Sequence, residues 1–389
     1  MVGTRVGLAA LGEASHVMAH TRNRGRGGNV AWIGIPTLVV IATLFAVYHF
    51  RGQTALSSPS PTEHHRATAP RIAFRNAIDP LTGLAETQHG PLVATMVDNS
   101  PEARPQAGLT AADVVYEAYT QNFYYSRLML IFYGNAPKKV GPVRSAHPYF
   151  AAWVDGWHAA YARAGGSIVA DQDIQKWGIH DMDWLTVDQA LYHRTVSRPA
   201  PYDVYSSLPT LMRYAENRWG NPPVAPHWPF EADVTRGTPP YRTLTVVWNR
   251  QNTVERWVWD QRAQQWARWI RCAEGCATTA WTPVVDANND QQVQASNVVF
   301  QYTHEVLDTK DPDPTGLRVL INTVGSGKAL LFLGHHFYVG TWRKASLQSP
   351  TRFYLPDGKL APFQPGQTWI EVVPEHPNQS AFSLTLSRH

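Results

Sequence analysis

Hydrophobic residues in this chain fall into one long run and many short ones. The long run, residues 30–50, reads VAWIGIPTLVVIATLFAVYHF and contains no formally charged side chain. The short runs begin near Pro91, and polar, proline-rich or glycine-rich stretches separate them. This pattern predicts one membrane-spanning helix followed by a folded region of strands and short helices.

The long run matches the roughly 20 residues that a helix needs to cross the hydrocarbon of a bilayer. A cleaved signal peptide is the alternative, but its apolar core usually runs about 7–15 residues and ends in small residues. This run ends in Tyr48-His49-Phe50. Because Arg22, Arg24 and Arg26 precede it closely, the positive-inside rule places the N-terminus in the cytoplasm and the later residues outside.

The short runs predict an extracytoplasmic α/β domain followed by an all-β domain. In the first, we expect strands near residues 91–97, 126–133 and 160–164, a helix over 111–119 and a helix that begins at Pro148. The predicted segments are a basic tail at 1–29, an anchor at 30–50, a flexible stalk at 51–85, the α/β domain at 86–217, a proline-rich linker at 218–240, the β-rich domain at 241–375 and a tail at 376–389.

Composition and charge narrow the class of protein. The 389 residues are 44% hydrophobic and include 15 Trp, 29 Pro and 27 Gly, which favours a folded protein rich in strands and turns. The net charge is +4, and the basic tail carries most of it, with four arginines against one glutamate. We therefore expect no nucleic-acid partner, and no motif calls for a cofactor.

The two cysteines, Cys272 and Cys276, lie four residues apart around a Glu-Gly turn. In an oxidising compartment this spacing predicts a small disulfide loop. His335 and His336 are adjacent in a predicted strand, so their side chains should point to opposite faces. We therefore predict no metal site.

Polar residues cluster where the first strands end and the Pro148 helix begins. Since ligands of open α/β sheets bind beyond the carboxyl ends of strands, and helix starts offer N–H donors to anions, we predict an anion-binding site there. The predicted ligand-binding residues are Asn99, Arg104, Arg127, Arg144, Ser145 and His147. His147 or Ser145 is also expected to cap the helix.

Three alternatives stay open. Asp98 or Glu117 can pair with Arg104 or Arg144 only to organise loops. Asp98 and Glu117 can instead be the catalytic base and acid of an envelope glycan hydrolase, which needs two carboxyl groups flanking one pocket. The third alternative is a protein–protein scaffold whose surface is formed by Trp257, Trp259, Trp266 and Trp269.

Several long motifs resemble the YerB-like family of bacterial envelope lipoproteins. They are DPLTGL at 79–84, VDNSPEARPQAGLTAADVVYEA at 97–118, GPVRSAHPYF at 141–150, RAGGS at 163–167, LINTVGSGKALLF at 320–332, GTWRKASLQSPTRFY at 340–354 and PGQTWIEVVP at 365–374. The resemblance implies a two-domain, extracytoplasmic, membrane-attached protein. The chain departs from the family in having no lipobox cysteine after the hydrophobic run, and it has His147 where Arg is expected. The resulting hypothesis is a single-pass membrane protein that binds a peptidoglycan carboxylate or a polymer phosphate.

Overall fold

The computed structural model describes residues 78–388 except 86–88, 188, 234, 250–252, 272–279, 314–315 and 377–381. The predicted basic tail, the predicted anchor and nearly all of the predicted stalk lie outside the described residues. Cys272 and Cys276 lie outside them too, together with the predicted disulfide. Within the described residues, every helix is too short or too polar to cross a bilayer.

Strands dominate the described part of the chain, which also contains three α-helices. The helices are α1 (Pro148–Trp157), α2 (Ile168–Trp177) and α3 (Leu208–Trp219). The strands of the N-terminal part are β1 (Val93–Asp98), β2 (Val114–Tyr119), β3 (Ser126–Phe132), β4 (Ala160–Arg163), β5 (Asp181–Asp183), β6 (Tyr192–Arg194) and β7 (Val204–Ser206). Those of the C-terminal part are β8 (Thr243–Asn249), β9 (Thr253–Asp260), β10 (Gln265–Arg271), β11 (Thr282–Pro283), β12 (Gln294–Ala295), β13 (Asn297–Thr303), β14 (Glu305–Asp313), β15 (Gly316–Ile321), β16 (Gly325–Leu333), β17 (His336–Lys344), β18 (Arg352–Tyr354), β19 (Thr368–Pro374) and β20 (Ser383–Ser387).

A single mixed sheet of ten strands runs through both parts of the chain, in the order β18-β17-β16-β13-β19-β2-β3-β1-β4-β5. The two parts meet where β19 pairs with β2 in parallel, with Glu371 opposite Glu117. The predicted mixed α/β N-terminal part and largely β C-terminal part are confirmed. However, half of the sheet comes from the C-terminal strands, which extend the N-terminal sheet.

The central sheet is covered by α1 on one face and by a second sheet on the other. Tyr116 of β2 faces the helix, where its ring stacks on Trp153 with centroids 5.1 Å apart. Side chains alternate along a strand, so Glu117 faces the other way, toward the second sheet of β11, β10, β9, β8 and β20. There Trp369 of β19 packs edge-on against Trp257 of β9, with centroids 5.2 Å apart.

The helix predicted over residues 111–119 is wrong, because this segment contains β2. All six residues of β2 are buried between β3 and β19, so the strand shows no alternation of polar and apolar side chains that would distinguish it from a helix. Asp113 does not stabilise a helix start, since its carboxylate accepts from the backbone N–H of Tyr133 at 2.6 Å. The predicted strands in β1, β3 and β4 and the helix starting at Pro148 are confirmed.

The tryptophan-rich surface proposed for a scaffold does not form. Trp257 and Trp266 are fully buried, and Trp259 is 6% exposed. Trp266 packs edge-on against Phe332 of the central sheet, with centroids 5.4 Å apart. These rings are therefore the core between the two sheets, and Trp269 alone among the four is half-buried.

Trp369→Ala tests whether the continuous sheet makes the two parts of the chain unfold together. Removing this buried ring should lower the free energy of unfolding by about 3–5 kcal/mol. In hydrogen exchange followed by mass spectrometry, peptides from β1–β3 and from β13–β16 should lose protection together. Trp269→Ala, which removes a half-buried ring, is the control and should lower the free energy of unfolding far less. Loss of protection confined to the C-terminal peptides would show that the sheet is not one cooperative unit.

Candidate functional site

The central sheet separates the polar residues predicted from the sequence into two groups on opposite faces. Asp98 lies directly opposite Arg127, and Arg127 lies opposite Ala118. Paired residues share a face, so Asp98 and Arg127 lie on the α1 face, whereas Glu117, the neighbour of Ala118, lies on the face of the second sheet.

On the α1 face, the carboxylate of Asp98 interacts with two guanidinium groups, those of Arg127 and Arg144. Asp98 is 4% exposed, and its Oδ2 accepts from Nε of Arg144 at 2.5 Å. Its Oδ1 accepts from the backbone N–H of Ser100 at 2.7 Å. Burial would raise the pKa of Asp98, but the positive charges of Arg127 and Arg144 and the bonds from Ser100 outweigh it and lower the pKa below its ordinary value.

Arg127 joins the end of the sheet to the segment before α1. Its Nη1 donates to the carbonyl and hydroxyl oxygens of Ser145 at 3.0 and 2.9 Å, and lies 2.8 Å from Nε2 of His147. Because arginine only donates, this Nε2 must carry no proton. Burial, followed by the charges of Arg127 and Arg144, holds the pKa of His147 well below its ordinary value, so the imidazole is neutral.

The expected capping of α1 by a side chain is wrong. His147 occupies the N-cap position but makes no side-chain capping bond, and the hydroxyl of Ser145 is used by Arg127. Tyr149 and Phe150 in the first turn are 3% and 0% exposed, so the helix start is covered by protein. Arg144, whose side chain is 27% exposed, is therefore the part of this group that solvent reaches most easily.

On the other face, Arg268 of β10 lies among buried glutamates. Its Nη2 donates to Oε2 of Glu117 at 2.6 Å and to Oε2 of Glu255. The guanidinium also lies over the ring of Trp369, with Cζ 4.1 Å from the centroid. Burial would lower the pKa of Arg268, but Glu117, Glu255 and Glu371 raise it, so the group stays charged.

Glu371 is the third carboxyl group of this cluster, and its surroundings favour the protonated form. It lies beside Glu117 on the neighbouring strand and is fully buried. Burial first, then the charge of Glu117, raises its pKa well above the ordinary value, although Arg268 opposes this. Its Oε1 accepts from Nε1 of Trp257 at 2.9 Å.

Asn99 and Arg104 connect the first strand to this buried cluster. Nδ2 of Asn99 donates to Oε1 of Glu117 and to Oγ of Ser126, both at 2.8 Å. Nη2 of Arg104 donates to the carbonyl oxygen of Asn99 at 2.5 Å and lies 3.9 Å from Oε1 of Glu255. Arg104 thus belongs to the face of the second sheet and not to the surface around Arg144.

This geometry does not provide the pocket that the hydrolase alternative requires. Asp98 and Glu117 lie on opposite faces of a hydrogen-bonded sheet, and Glu117 is completely buried. Each already binds an arginine. No single sugar residue can lie between the two carboxyl groups, so the geometry gives them no shared role as acid and base.

Two cavities that the sequence did not predict share lining residues, and the first of them lies at the opposite end of α1. One, of about 450 Å³, is lined in part by Trp157, His180, Trp219 and His227. The other, of about 540 Å³, is lined in part by Ser326, Arg343 and Tyr354. Pro350 and Arg352 line both cavities. Arg343 and Arg352 come together only through the pairing of β17 with β18, which no local sequence signal reveals.

The expectation that His335 and His336 point apart is also wrong. His335 lies in the turn between β16 and β17, and β17 begins at His336, so the alternation of a strand does not apply to the pair. Their ring centroids are 4.1 Å apart.

Two family models match the chain in order along the sequence. They are described as the N-terminal domain of a protein of unknown function, DUF3048, over residues 81–221, and its C-terminal domain over residues 244–370. A relative from Bacillus subtilis (strain 168), named "Putative lipoprotein YerB", is 29% identical over 306 residues, which cover 76% of this chain and 86% of the relative. The crystal structure of the YerB protein from Bacillus subtilis matches with a TM-score of 0.66 at 26% identity, covering 79% of this chain and 99% of that one.

Glu371→Gln should change how stability depends on pH. A carboxyl group whose pKa is raised by folding stabilises the native state at low pH, and this contribution is lost as the pH rises from the unfolded pKa through the folded one. Because glutamine does not ionise, the Glu371→Gln variant does not lose this contribution to stability as the pH rises. Its free energy of unfolding, relative to that of the parent, should therefore increase between pH 5 and pH 8, by up to about 1.4 kcal/mol per pH unit.

Urea unfolding at pH 5, 6.5 and 8 measures this difference. The exposed Glu375→Gln is the matched control, and its difference from the parent should not change over the same range. A difference for Glu371→Gln that stays constant or decreases with pH would mean that Glu371 is ionised in the folded protein.

Proposed function

Since the chain belongs to the DUF3048 family, we propose that it is a membrane-attached envelope protein that binds an anionic group of an envelope component. The group in question is a carboxylate of peptidoglycan or a phosphate of an envelope polymer. The observation that carries the proposal is the unequal sharing of Asp98, a single carboxylate, between the guanidinium groups of Arg127 and Arg144.

This sharing leaves an uncompensated positive charge at the carboxyl end of β1. Arg127 is buried, and its Nη1 already donates hydrogen bonds to Ser145 and His147. Arg144 uses Nε for Asp98, and within the described part of the chain its Nη groups have no hydrogen-bond partner. Those two groups can donate to two oxygens of one carboxylate or phosphate.

Attachment to the envelope is supported by the relative named as a lipoprotein. Lipid attachment itself requires a cysteine after the hydrophobic run, and both cysteines of this chain come much later, at 272 and 276. The run at residues 30–50 supplies the membrane attachment in this proposal, with the folded part outside the cytoplasm.

The two cavities lined by Pro350 and Arg352 offer a second surface for the same class of ligand. Arg343 and Arg352 are exposed and directly opposite each other on β17 and β18. Like charges in this arrangement repel, and no carboxylate among the described residues pairs with either. An anion placed between them would relieve the repulsion.

Aromatic walls next to Arg352 suit a sugar ring. His180 stacks on Trp219 with centroids 4.6 Å apart, and Trp157 stacks on His227 with centroids 3.8 Å apart. Nδ1 of His227 is buried and has no hydrogen-bond partner among the described residues, so a ligand hydroxyl could satisfy it. The loop before Arg352 is held in place because Nζ of Lys344 donates to the carbonyls of Ser346, Leu347 and Ser349.

Arg144→Ala tests the first surface. The full-length protein in neutral detergent is mixed with purified peptidoglycan sacculi, before and after removal of their attached phosphate polymers, and the bound fraction is measured. Arg144→Ala should weaken binding about tenfold at low salt, since charge-assisted hydrogen bonds are lost. The difference in binding between the parent and Arg144→Ala should become smaller as salt is added. The fold should survive because Arg127 still neutralises Asp98.

Two further variants make the outcome decisive. Arg352→Ala tests the second surface, and Arg213→Ala, an exposed arginine of α3 outside both cavities, is the control for charge alone. A loss with Arg144→Ala beyond that with Arg213→Ala supports the first surface, and a loss with Arg352→Ala alone moves the site to the second. Equal binding by all four proteins would refute the proposed function.

A further inference from the structure

Asp233, His335 and His336 bring three ligand atoms to one point at the surface. Oδ2 of Asp233 lies 2.7 Å from Nε2 of His336 and 3.4 Å from Nε2 of His335. All three atoms lie within 4.8 Å of one another. The histidine side chains are 16% and 42% exposed, so an ion can reach them from solvent.

The aspartate is held in position by bonds that leave Oδ2 facing the histidines. Oδ1 accepts from the backbone N–H and the hydroxyl of Thr235 at 2.8 and 2.6 Å. The backbone N–H of Asp233 donates to Oε1 of Gln364 at 2.8 Å. Such supporting bonds around a ligating carboxylate are typical of metal sites.

His335 is positioned by close contact with Gly237. A Cβ atom at position 237 would lie 2.1 Å from Cδ2 of His335, so the imidazole occupies the space that any larger residue would fill. The turn before β17 and the segment around Gly237 therefore fix the ring together.

We propose that Asp233, His335 and His336 bind a divalent transition metal ion of the zinc class. Zinc binds imidazole nitrogen and carboxylate oxygen at about 2.0–2.2 Å in a tetrahedron, whose ligand atoms then lie roughly 3.4 Å apart. The distance between Oδ2 of Asp233 and Nε2 of His335 already has this value. The distance between Oδ2 of Asp233 and Nε2 of His336 is shorter, and a small outward movement of the His336 ring would bring it to this value. Hard cations such as Mg²⁺ prefer oxygen ligands and should bind weakly.

The metal would connect two distant parts of the sequence. Asp233 lies in the proline-rich connection, which also pairs with Phe363 through Phe230. The histidines lie at the turn of the β16–β17 hairpin. With three protein ligands, a fourth coordination position remains for water or for a ligand group from outside.

Zinc titration of the full-length protein in detergent tests the site. The protein carries Cys272→Ser and Cys276→Ser so that no thiolate competes, and bound metal is first removed with EDTA. Zinc affinity is measured by competition with a fluorescent chelator, and Co²⁺ absorption reports tetrahedral coordination. His336→Ala should weaken zinc binding more than tenfold, since even residues that only orient a ligand contribute that much. Zinc should also raise the unfolding temperature of the parent but not of His336→Ala.

Two controls separate this site from other histidines. His376→Ala removes an exposed histidine that also lies beside a carboxylate, Glu375, and should leave zinc affinity unchanged. Gly237→Ala keeps all three ligands but displaces His335, and should weaken binding. Equal zinc affinity in the parent, His336→Ala and His376→Ala, or Mg²⁺ binding as tight as Zn²⁺ binding, would overturn the proposal.

Discussion

The guanidinium of Arg268 joins strands that come from three distant parts of the sequence. It binds Glu117 of β2 and Glu255 of β9, and lies close enough to Glu371 of β19 to oppose the rise in its pKa. Two carboxyl groups side by side on neighbouring strands would repel each other if both were ionised, so the junction depends on Arg268, and the charge of Glu117 helps to raise the pKa of Glu371. The cluster also specifies register, because a slip of one residue in β2 would turn Glu117 toward α1 and leave Arg268 short of a partner.

The same alternation of side chains explains why only one predicted arginine is suited to bind a ligand. Arg104 faces the second sheet and supports the buried cluster, whereas Arg127 faces α1 and is enclosed by Ser145 and His147. Arg144 follows the sheet, reaches the surface and shares its carboxylate with another arginine. The buried interactions thus fix the backbone, and the partly exposed Arg144 lies at the end of β1, the end of a strand at which ligands of α/β sheets bind.

Local signals in the sequence predicted many of the strands and helices, but they revealed little about which side chains lie on the same face of the sheet. The strands at β1 and β3 and the start of α1 at Pro148 have clear boundaries, and the expectation that polar residues at strand ends and helix starts converge correctly grouped Asp98 with Arg144. Glu117 was wrongly assigned to the same site. The face on which its side chain lies depends on pairing between strands, which the local sequence does not reveal. Likewise, Arg343 and Arg352 meet only across two strands, and His335 and His336 converge because the strand begins at His336, one residue later than the pattern indicated.

The place of β19 in the sheet has a consequence for how the protein matures. This strand lies near the C-terminus, yet it fills the gap between β2 and β13 in the middle of the sheet. The N-terminal strands are synthesised first, and the open side of β2 stays without its neighbour until almost the entire chain has been made. Such an unprotected strand can join another molecule and aggregate. A chain of this design therefore depends on fast completion of the sheet, or on a chaperone that shields the nascent edge.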